Sequence, residues 1–471
     1  MIDVLICSTA GTFSSRPVLA PAVLKSSVIA AGFSAVAIDL NNEANLYIRH
    51  SKDTKILENF LLFQEIPSEN YAAIESFIEF CTNRIISFNP KIIALSLLCQ
   101  DNQFFTIWLC YHLRFRAPNV KIIIGGSGIK NFIAESSIGY AELLKERNLI
   151  DDYINGDGEY SLVQYLKNNM SFPGINSANW QQITDLNNLP FPNFDNYNFQ
   201  QYKECGIPIC DSRGCVRACE FCDIIEHWKK YQYRSASNIF SEMLHQIEKY
   251  KISNFFFYNS LTNGNMKEFN KLLDYICEYN SKATNVISWD GYFIVRGQNQ
   301  HPRTLWQKIK ESNGSLLLGI ESVIEKVRIN LGKNFTNDDI DYHLEMAKEF
   351  SIPLNLLLIV GYPTETKEDF EFTKKWFIDR KQYARFPVKN VVFSLASILP
   401  NTELDRKKKD YNITQGEIPT YWISNVNNVS TQDRLNYHKS LTTILSQLNF
   451  SHGAGDGLTF KSTQQEITQY G

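Results

Sequence analysis

The stretch Cys215-Val-Arg-Ala-Cys219-Glu-Phe-Cys222 places three thiols within eight residues, directly after the extended run Ile207-Pro-Ile-Cys-Asp-Ser-Arg-Gly214. A short strand followed by such a loop lets the thiols converge on one inorganic centre. A [4Fe–4S] cluster normally takes four cysteine thiolates, one per iron. Three therefore leave one iron open to a ligand that is not protein, and an open iron beside a strand end is a reaction site rather than an electron wire. Two blander readings of the spacing stand beside this one. A structural zinc site would recruit Cys210 or Cys205 as fourth ligand, yet zinc sites usually pair two knuckles, and no second Cys-x-x-Cys or His-x-x-x-His follows. The other is a set of inert cysteines.

The spacing C-x3-C-x2-C, with an aromatic residue before the last cysteine, resembles the radical S-adenosylmethionine (SAM) superfamily. The resemblance implies that Cys215, Cys219 and Cys222 hold a [4Fe–4S] cluster and that the amino and carboxylate groups of SAM chelate the open iron. An electron from the cluster then cleaves SAM to a 5′-deoxyadenosyl radical. Phe221 matches the aromatic position beside the adenine.

Downstream, strand candidates at 207–211, 254–258, 286–289, 315–320, 353–360 and 390–395 alternate with helical stretches. Six such units are too few for an eight-stranded barrel, and they suit the partial (β/α)6 barrel that the resemblance implies. Strand C-termini are then the functional positions. The turn Asn259-Ser-Leu-Thr-Asn-Gly264 stands where the family meets the methionyl amino group through residues such as Asn259 and Ser260; an ordinary Asn-Gly turn is the alternative. Trp289-Asp-Gly-Tyr-Phe-Ile-Val-Arg296 is expected at the rim after the third strand. In Leu318-Gly-Ile-Glu-Ser322, a carboxylate at an inward-facing strand end is costly to bury unless it accepts hydrogen bonds, and ribose hydroxyls are suitable donors. Gly-Ile-Glu-Ser is also a frequent ribose-binding form of the family, which implicates Glu321 and Ser322; a buried structural ion pair is the rival. Gly361 would let backbone lie against the adenine, Glu365-Thr366 opens the next helix, and Ser397-Ile-Leu-Pro-Asn-Thr402 is a further family-like turn.

Upstream, apolar runs at 2–7, 35–40, 91–98 and 120–126 alternate with helical stretches at 21–31, 71–87 and 104–115. This predicts a parallel sheet covered on both faces, with ligands at the strand carboxyl ends. Ser96-x-Leu98 and Gly125-Gly126 fall at two such ends, and glycines there allow close backbone approach. They look like part of the cobalamin-binding signature, which implies a flavodoxin/Rossmann-like corrin domain with Ser96, Leu98, Gly125 and Gly126 at the nucleotide tail. Asp152-Tyr-Ile-Asn-Gly-Asp-Gly-Glu159 and Leu186-Asn-Asn-Leu-Pro-Phe-Pro192 resemble the closing strand and linker of such chains. One element departs from the signature. Where an Asp-x-His-x-x-Gly would carry histidine to cobalt, the chain reads Cys7-Ser-Thr-Ala-Gly-Thr-Phe-Ser-Ser-Arg16, and the first histidine is His50. The alternative is a flavodoxin-like domain whose slot is empty or holds substrate.

The 471 residues are long enough for two or three domains, here 1–165 corrin-type, 166–204 linker, 205–404 barrel and a small, mainly helical cap at 405–471 ending in a mobile tail from Ser451. A formal charge of −3 and a single short basic run, Arg406-Lys-Lys-Lys409, argue against nucleic acid as partner. The N-terminus lacks a basic n-region, no apolar run approaches membrane-spanning length, and singly scattered cysteines such as Cys81, Cys99, Cys110 and Cys277 suit a reducing compartment. A cytoplasmic enzyme with no membrane association is expected. The parts imply a cobalamin-dependent radical SAM methyltransferase acting on an unactivated carbon of a small molecule or peptide, fed by an electron donor such as flavodoxin or ferredoxin. Rival readings are the same cofactors used for cyclisation, oxidation or rearrangement, a radical SAM enzyme with a degenerate first domain, transfer-RNA methylthiolation, and a corrin or cluster sensor without turnover. No residue is identified as catalytic beyond the cofactor ligands.

Overall fold

The computed structural model describes residues 1–11, 15–62, 66–129, 139–258, 261–416, 420–427 and 429–454. Asn259, Ser260 and residues 455–471 lie outside these; the start of the tail expected from Ser451 is instead a strand, His452–Ala454, paired with Val391–Phe393. The chain divides into two compact units, Met1–Cys215 with Ile224–Ser260 and Lys267–Ser288, and Val216–Asp223 with Leu261–Met266 and Trp289–Gly471.

The first unit opens with β1 Ile2–Ser8, α1 Ala20–Ala30, β2 Ala35–Ile38, α2 Leu40–His50, α3 Thr54–Leu61, α4 Tyr71–Ile86, β3 Pro90–Ser96, α5 Asp101–Arg116, β4 Lys121–Gly125, α6 Tyr140–Glu146, β5 Asp152–Ile154 and α7 Gly158–Leu166. The sheet order is β2-β1-β3-β4-β5 with every pairing parallel, the flavodoxin-like order expected of the alternation. Both faces are apolar because both are covered. Val4, Ile6 and Ile123 pack with Val28 of α1 and Leu162 of α7, while Leu5, Ile93 and Ile124 pack with Phe77 of α4 and Leu109 of α5. Helices α2 and α3 lie outside the expected helical stretches. Asn41, Asn42 and Asn45 are buried in α2 and mask its period, and the helix starts because Asp39 accepts from the Asn42 backbone N–H.

The same unit continues with β6 Ile207–Ile209, β7 Ser212–Arg213, α8 Ile224–His227, β8 Gln232–Tyr233, α9 Ala236–Tyr250, β9 Asn254–Phe257 and α10 Met266–Asn280. Strands β6 and β9 pair in parallel, and β7 and β8 form a short antiparallel ladder. The connector around 166–204 has little regular structure but is well packed: Trp180, Ile183, Leu186, Phe194 and Tyr202 are buried, and the Tyr202 hydroxyl donates to Asp39 at 2.8 Å.

The second unit contains β10 Ser288–Phe293, α11 Arg303–Glu311, β11 Gly314–Glu321, α12 Glu325–Asn330, α13 Asn337–Glu349, β12 Leu354–Val360, α14 Lys367–Asp379, β13 Val388–Leu395, α15 Glu403–Arg406, β14 Ile413–Gln415, β15 Trp422–Ser424, α16 Thr431–Gln447 and β16 His452–Ala454. Neighbouring strands β10-β11-β12-β13-β16 are all parallel, so the last four expected barrel strands stand in order in this unit and the C-terminal region adds one more to the sheet edge. Residues alternate along β11 and β12 between a fully buried face (Leu316, Leu318, Ile320; Leu354, Leu356, Leu358) and a half-buried one carrying Glu321 and Asn355. One expectation is corrected here. The third strand runs past 286–289, so Trp289 and Asp290 lie inside β10 rather than on a loop at the rim. Trp289 is a core residue, opposite Gly314, and its indole N–H donates to Ser312 Oγ at 3.0 Å.

Candidate functional site

The cysteine loop is held in place by the residue between its second and third thiols. Glu220 is buried, and its carboxylate accepts from the Tyr362 hydroxyl at 2.6 Å, the Tyr411 hydroxyl at 2.9 Å and Lys407 Nζ. Its backbone N–H donates to the Leu331 carbonyl at 3.2 Å, and its own carbonyl accepts from Leu404 N–H at 2.8 Å. Gly332 has φ +82°, and a side chain there would come within 3.2 Å of the Ala218 carbonyl. The loop is thus gripped by the segments after α12, β12 and β13. Cys219 is buried, and Cys215 and Cys222 are half-buried.

The donor set fits a three-thiolate cluster. The one carboxylate within the motif is occupied by two hydroxyls and an ammonium, so it does not add a fourth ligand. Among the described residues no three Cys, His, Asp or Glu side chains are already gathered at metal spacing, and the fit rests on the thiols and on the anchoring of their loop. The zinc alternative loses one of its candidate ligands: Cys210 donates its thiol to the Ser212 carbonyl at 3.3 Å, and burial raises its pKa. A zinc ligand would have to be a thiolate.

Glu321 ends β11 in the left-handed region at φ +57°, at a bulge that leaves Ile320 between the pairs Gly319↔Leu357 and Glu321↔Leu358. A non-glycine residue held there costs on the order of 1–3 kcal/mol, which points to a functional constraint on its direction. Its carboxylate accepts from Lys333 Nζ at 2.7 Å, and Lys333 also donates to the Gly319 carbonyl at 2.7 Å. A side chain at Gly319 would stand 2.7 Å from Glu321 Oε1 and displace the carboxylate from this position. Ser322 is buried beside it, with its carbonyl accepting from Arg328 and its hydroxyl from Ile324 N–H. Gly361, φ +76°, follows β12; its N–H donates to Glu365, whose carboxyl is pushed up to about 7 by burial. Thr366 and Asp369 then form a capping box that opens α14. Phe221 is half-buried beside Cys222. Asn259 and Ser260 are not described, but the turn after them is fixed: Asn263 exchanges both amide hydrogen bonds with the backbone of Ile294, and its Nδ2 lies 3.2 Å from Nε2 of buried His301. His301 in turn bonds His343 at 2.9 Å.

At the other end of the chain, Ser8, Ser96 and Gly125 lie in register across the carboxyl edge of the first sheet. Leu98 is 59% exposed just beyond it, a large apolar side chain presented at a strand end. The glycine pair has a local reason distinct from an open slot. Gly126 has φ +100°, and a side chain on it would strike the Leu97 carbonyl, so glycine here lets the β3 and β4 loops close on each other. Asn102 ties the same loops together, accepting from the Leu98 and Cys99 N–H groups and donating to the Thr9 carbonyl. Arg213 joins two sequence motifs that looked separate, donating to Asp157 at 2.7 Å and to Glu159 while lying 5.1 Å from the Trp228 ring. Glu220, Lys333, Arg213 and the His301–His343 pair all escaped sequence reasoning. The only hint was a carboxylate in the middle of the cysteine motif.

Residues 209–377 match the model of the Radical SAM superfamily. An uncharacterized methyltransferase of Pyrococcus horikoshii is 24% identical over 385 residues, covering 76% of this chain and 75% of that protein. Two solved structures share the fold across nearly the whole chain. TsrM, a radical SAM methyltransferase from Kitasatospora setae solved with tryptophan and a SAM analogue, gives a TM-score of 0.64 at 13% identity, covering 95% of this chain and 89% of its own. OxsB, a cobalamin-dependent SAM radical enzyme solved with aqua-cobalamin, gives 0.64 at 15% identity, covering 95% of this chain and 67% of its own. Among the described residues no helix is long and apolar enough to cross a membrane. Residues 209–377 thus match the radical SAM superfamily, and the chain shares the two-part α/β fold of the solved TsrM and OxsB structures.

Proposed function

We propose that this chain is a cobalamin-dependent radical SAM methyltransferase that modifies an unactivated carbon of a small-molecule or peptide substrate. The observation that carries the reading is a fold shared over both α/β parts with TsrM and OxsB, rather than over the radical SAM domain alone. In this reading 1–165 is the corrin domain and 205–404 the barrel. Cys215, Cys219 and Cys222 hold the cluster; Phe221, Asn259, Ser260, Glu321, Ser322 and Gly361 surround SAM; Ser96, Leu98, Gly125 and Gly126 receive cobalamin. When bound, these cofactors supply one-electron cleavage of SAM and a transferable methyl group. The chain's own residues orient them. Glu220 fixes the direction of the cysteine loop, Lys333 holds the Glu321 carboxylate ready for ribose hydroxyls, and Gly361 lets the stem of Arg434 lie against the backbone after β12. An external one-electron protein donor completes the cycle.

The same cofactor pair used without methyl transfer is the second reading. Transfer-RNA methylthiolation is disfavoured because Cys7, Cys81 and Cys110 are fully buried core residues rather than a second ligand set. The test is anaerobic incubation of the reconstituted protein with SAM and a reductant. 5′-Deoxyadenosine should form and vanish in Cys219→Ala; its formation at undiminished rate in that variant would refute the assignment. With a substrate in hand, a mass gain of one methylene selects methyl transfer over the second reading.

A further inference from the structure

Two arginines of the second unit are completely buried, and their surroundings differ. Arg328 spends all three nitrogens: Nε donates to the Phe335 carbonyl, Nη1 to the Ser322 carbonyl and Nη2 to Asn337. Arg434, in the first turn of α16, spends one. Its Nη2 donates to the Thr420 carbonyl at 2.6 Å and lies 3.3 Å from Thr431 Oγ1, whereas Nε and Nη1 have no acceptor. The Thr420 hydroxyl, on a residue 2% exposed, is likewise without a partner. Three unsatisfied polar atoms therefore meet on two adjacent buried side chains, one of them cationic.

Leaving such groups dry and unmatched is costly, and proteins tolerate it where something else completes the set. Burial lowers the Arg434 pKa to about 9, still leaving a positive charge at neutral pH. No carboxylate forms an ion pair with it among the described residues; Asp433 next to it is engaged by Ser430 in the helix cap, at 2.6 Å. The guanidinium is instead stacked on Trp422, 3.5 Å from the ring, which fixes its plane. Its stem lies against Gly361, where a side chain would collide with Arg434 Cγ and Cδ.

We propose that Arg434 and Thr420 form a carboxylate-binding site beside the SAM pocket, and that the carboxylate is carried by the substrate. This rests on the reading that places Gly361 against SAM. One positive charge with free N–H groups and one hydroxyl matches a monoanion with two acceptor oxygens. The remaining source of a carboxylate is the methionyl group of SAM itself.

Both sources are separable with the full-length chain, and the first measurement needs no cluster. Sodium acetate, compared with acetamide at constant ionic strength, should give a saturable rise in Tm and a shift in tryptophan emission that acetamide does not. Arg434→Met should keep the fold, since it removes an unmatched buried charge, and should lose the acetate response; Thr420→Val should weaken it severalfold. No acetate response, or an equal response in Arg434→Met, overturns the site. On reconstituted protein, SAM affinity within about twofold of wild type in Arg434→Met supports the substrate as source; a tenfold weakening assigns the carboxylate to SAM and overturns that part. Failure of the radical SAM reading would show separately, as loss of 5′-deoxyadenosine formation with the acetate response intact.

Discussion

Glu220 shows how much of this site hangs on a residue that the cysteine motif treats as a spacer. Its three side-chain partners lie 142, 187 and 191 residues away in sequence, so nothing local announces them. Glu220→Gln should weaken the contact to Lys407 and leave that ammonium only Glu403, at 3.7 Å, as counter-charge, costing about 2 kcal/mol in urea unfolding. Iron retained per chain after reconstitution and desalting should fall with it; full retention would mean the loop does not depend on this anchor. The buried histidines give a pH prediction. Burial holds His301 at about 2 and His343 at about 4, with the His343 imidazole and Arg296 adding to the effect on His301. The folded pair stays neutral while the unfolded chain takes up protons below about 6.5. Stability from this pair is therefore complete above pH 6.5 and is lost as pH falls, by about 2 kcal/mol per imidazole at pH 5. Asp211 and Glu365, raised to about 8 and about 7 by burial, act in the opposite sense. The contribution of the pair is accordingly read as the difference in pH slope between wild type and a His301→Gln/His343→Gln variant. Equal slopes between pH 7 and 5 would contradict it.

At the scale of elements, the sequence was legible where pattern and packing agree. Parallel strands buried on both faces read as apolar runs, and β1, β3, β4, β11, β12 and β13 all stand close to where those runs fall. The Glu365-Thr366 helix start is visible because a capping box is a local device. Thr366→Ala should cost about 1 kcal/mol, measured as a shift in urea midpoint. Helix α2 was hidden because its buried face is built of asparagines, and the third barrel strand was placed early because the apolar run 286–289 continues through a buried Trp289-Asp-Gly segment. Gly125-Gly126 was legible as a special backbone, but its purpose was not. At Gly126 the need is for a left-handed turn against the Leu97 carbonyl. Gly126→Val should force the β3 and β4 loops apart, lowering Tm and weakening cobalamin binding together while iron content stays at the wild-type level. Unchanged cobalamin affinity in the folded variant would move the corrin site away from this edge.

For the whole molecule, the strongest sequence signal and the widest structural likeness come from different parts of the chain. The cysteine loop identified the superfamily from eight residues, whereas the first domain offered only short pieces of a signature and lacked its histidine before His50. Its likeness in fold to TsrM and OxsB lies in strand order and coverage, which no short motif encodes. Both cofactors in one chain is the central claim. The most direct measurement is anaerobic reconstitution with iron, sulfide and hydroxocobalamin, followed by desalting and metal analysis. The account predicts about four irons per chain, as in one [4Fe–4S] cluster, together with about one cobalt. Four irons without cobalt would contradict it, leaving a radical SAM enzyme whose first domain does not bind a corrin.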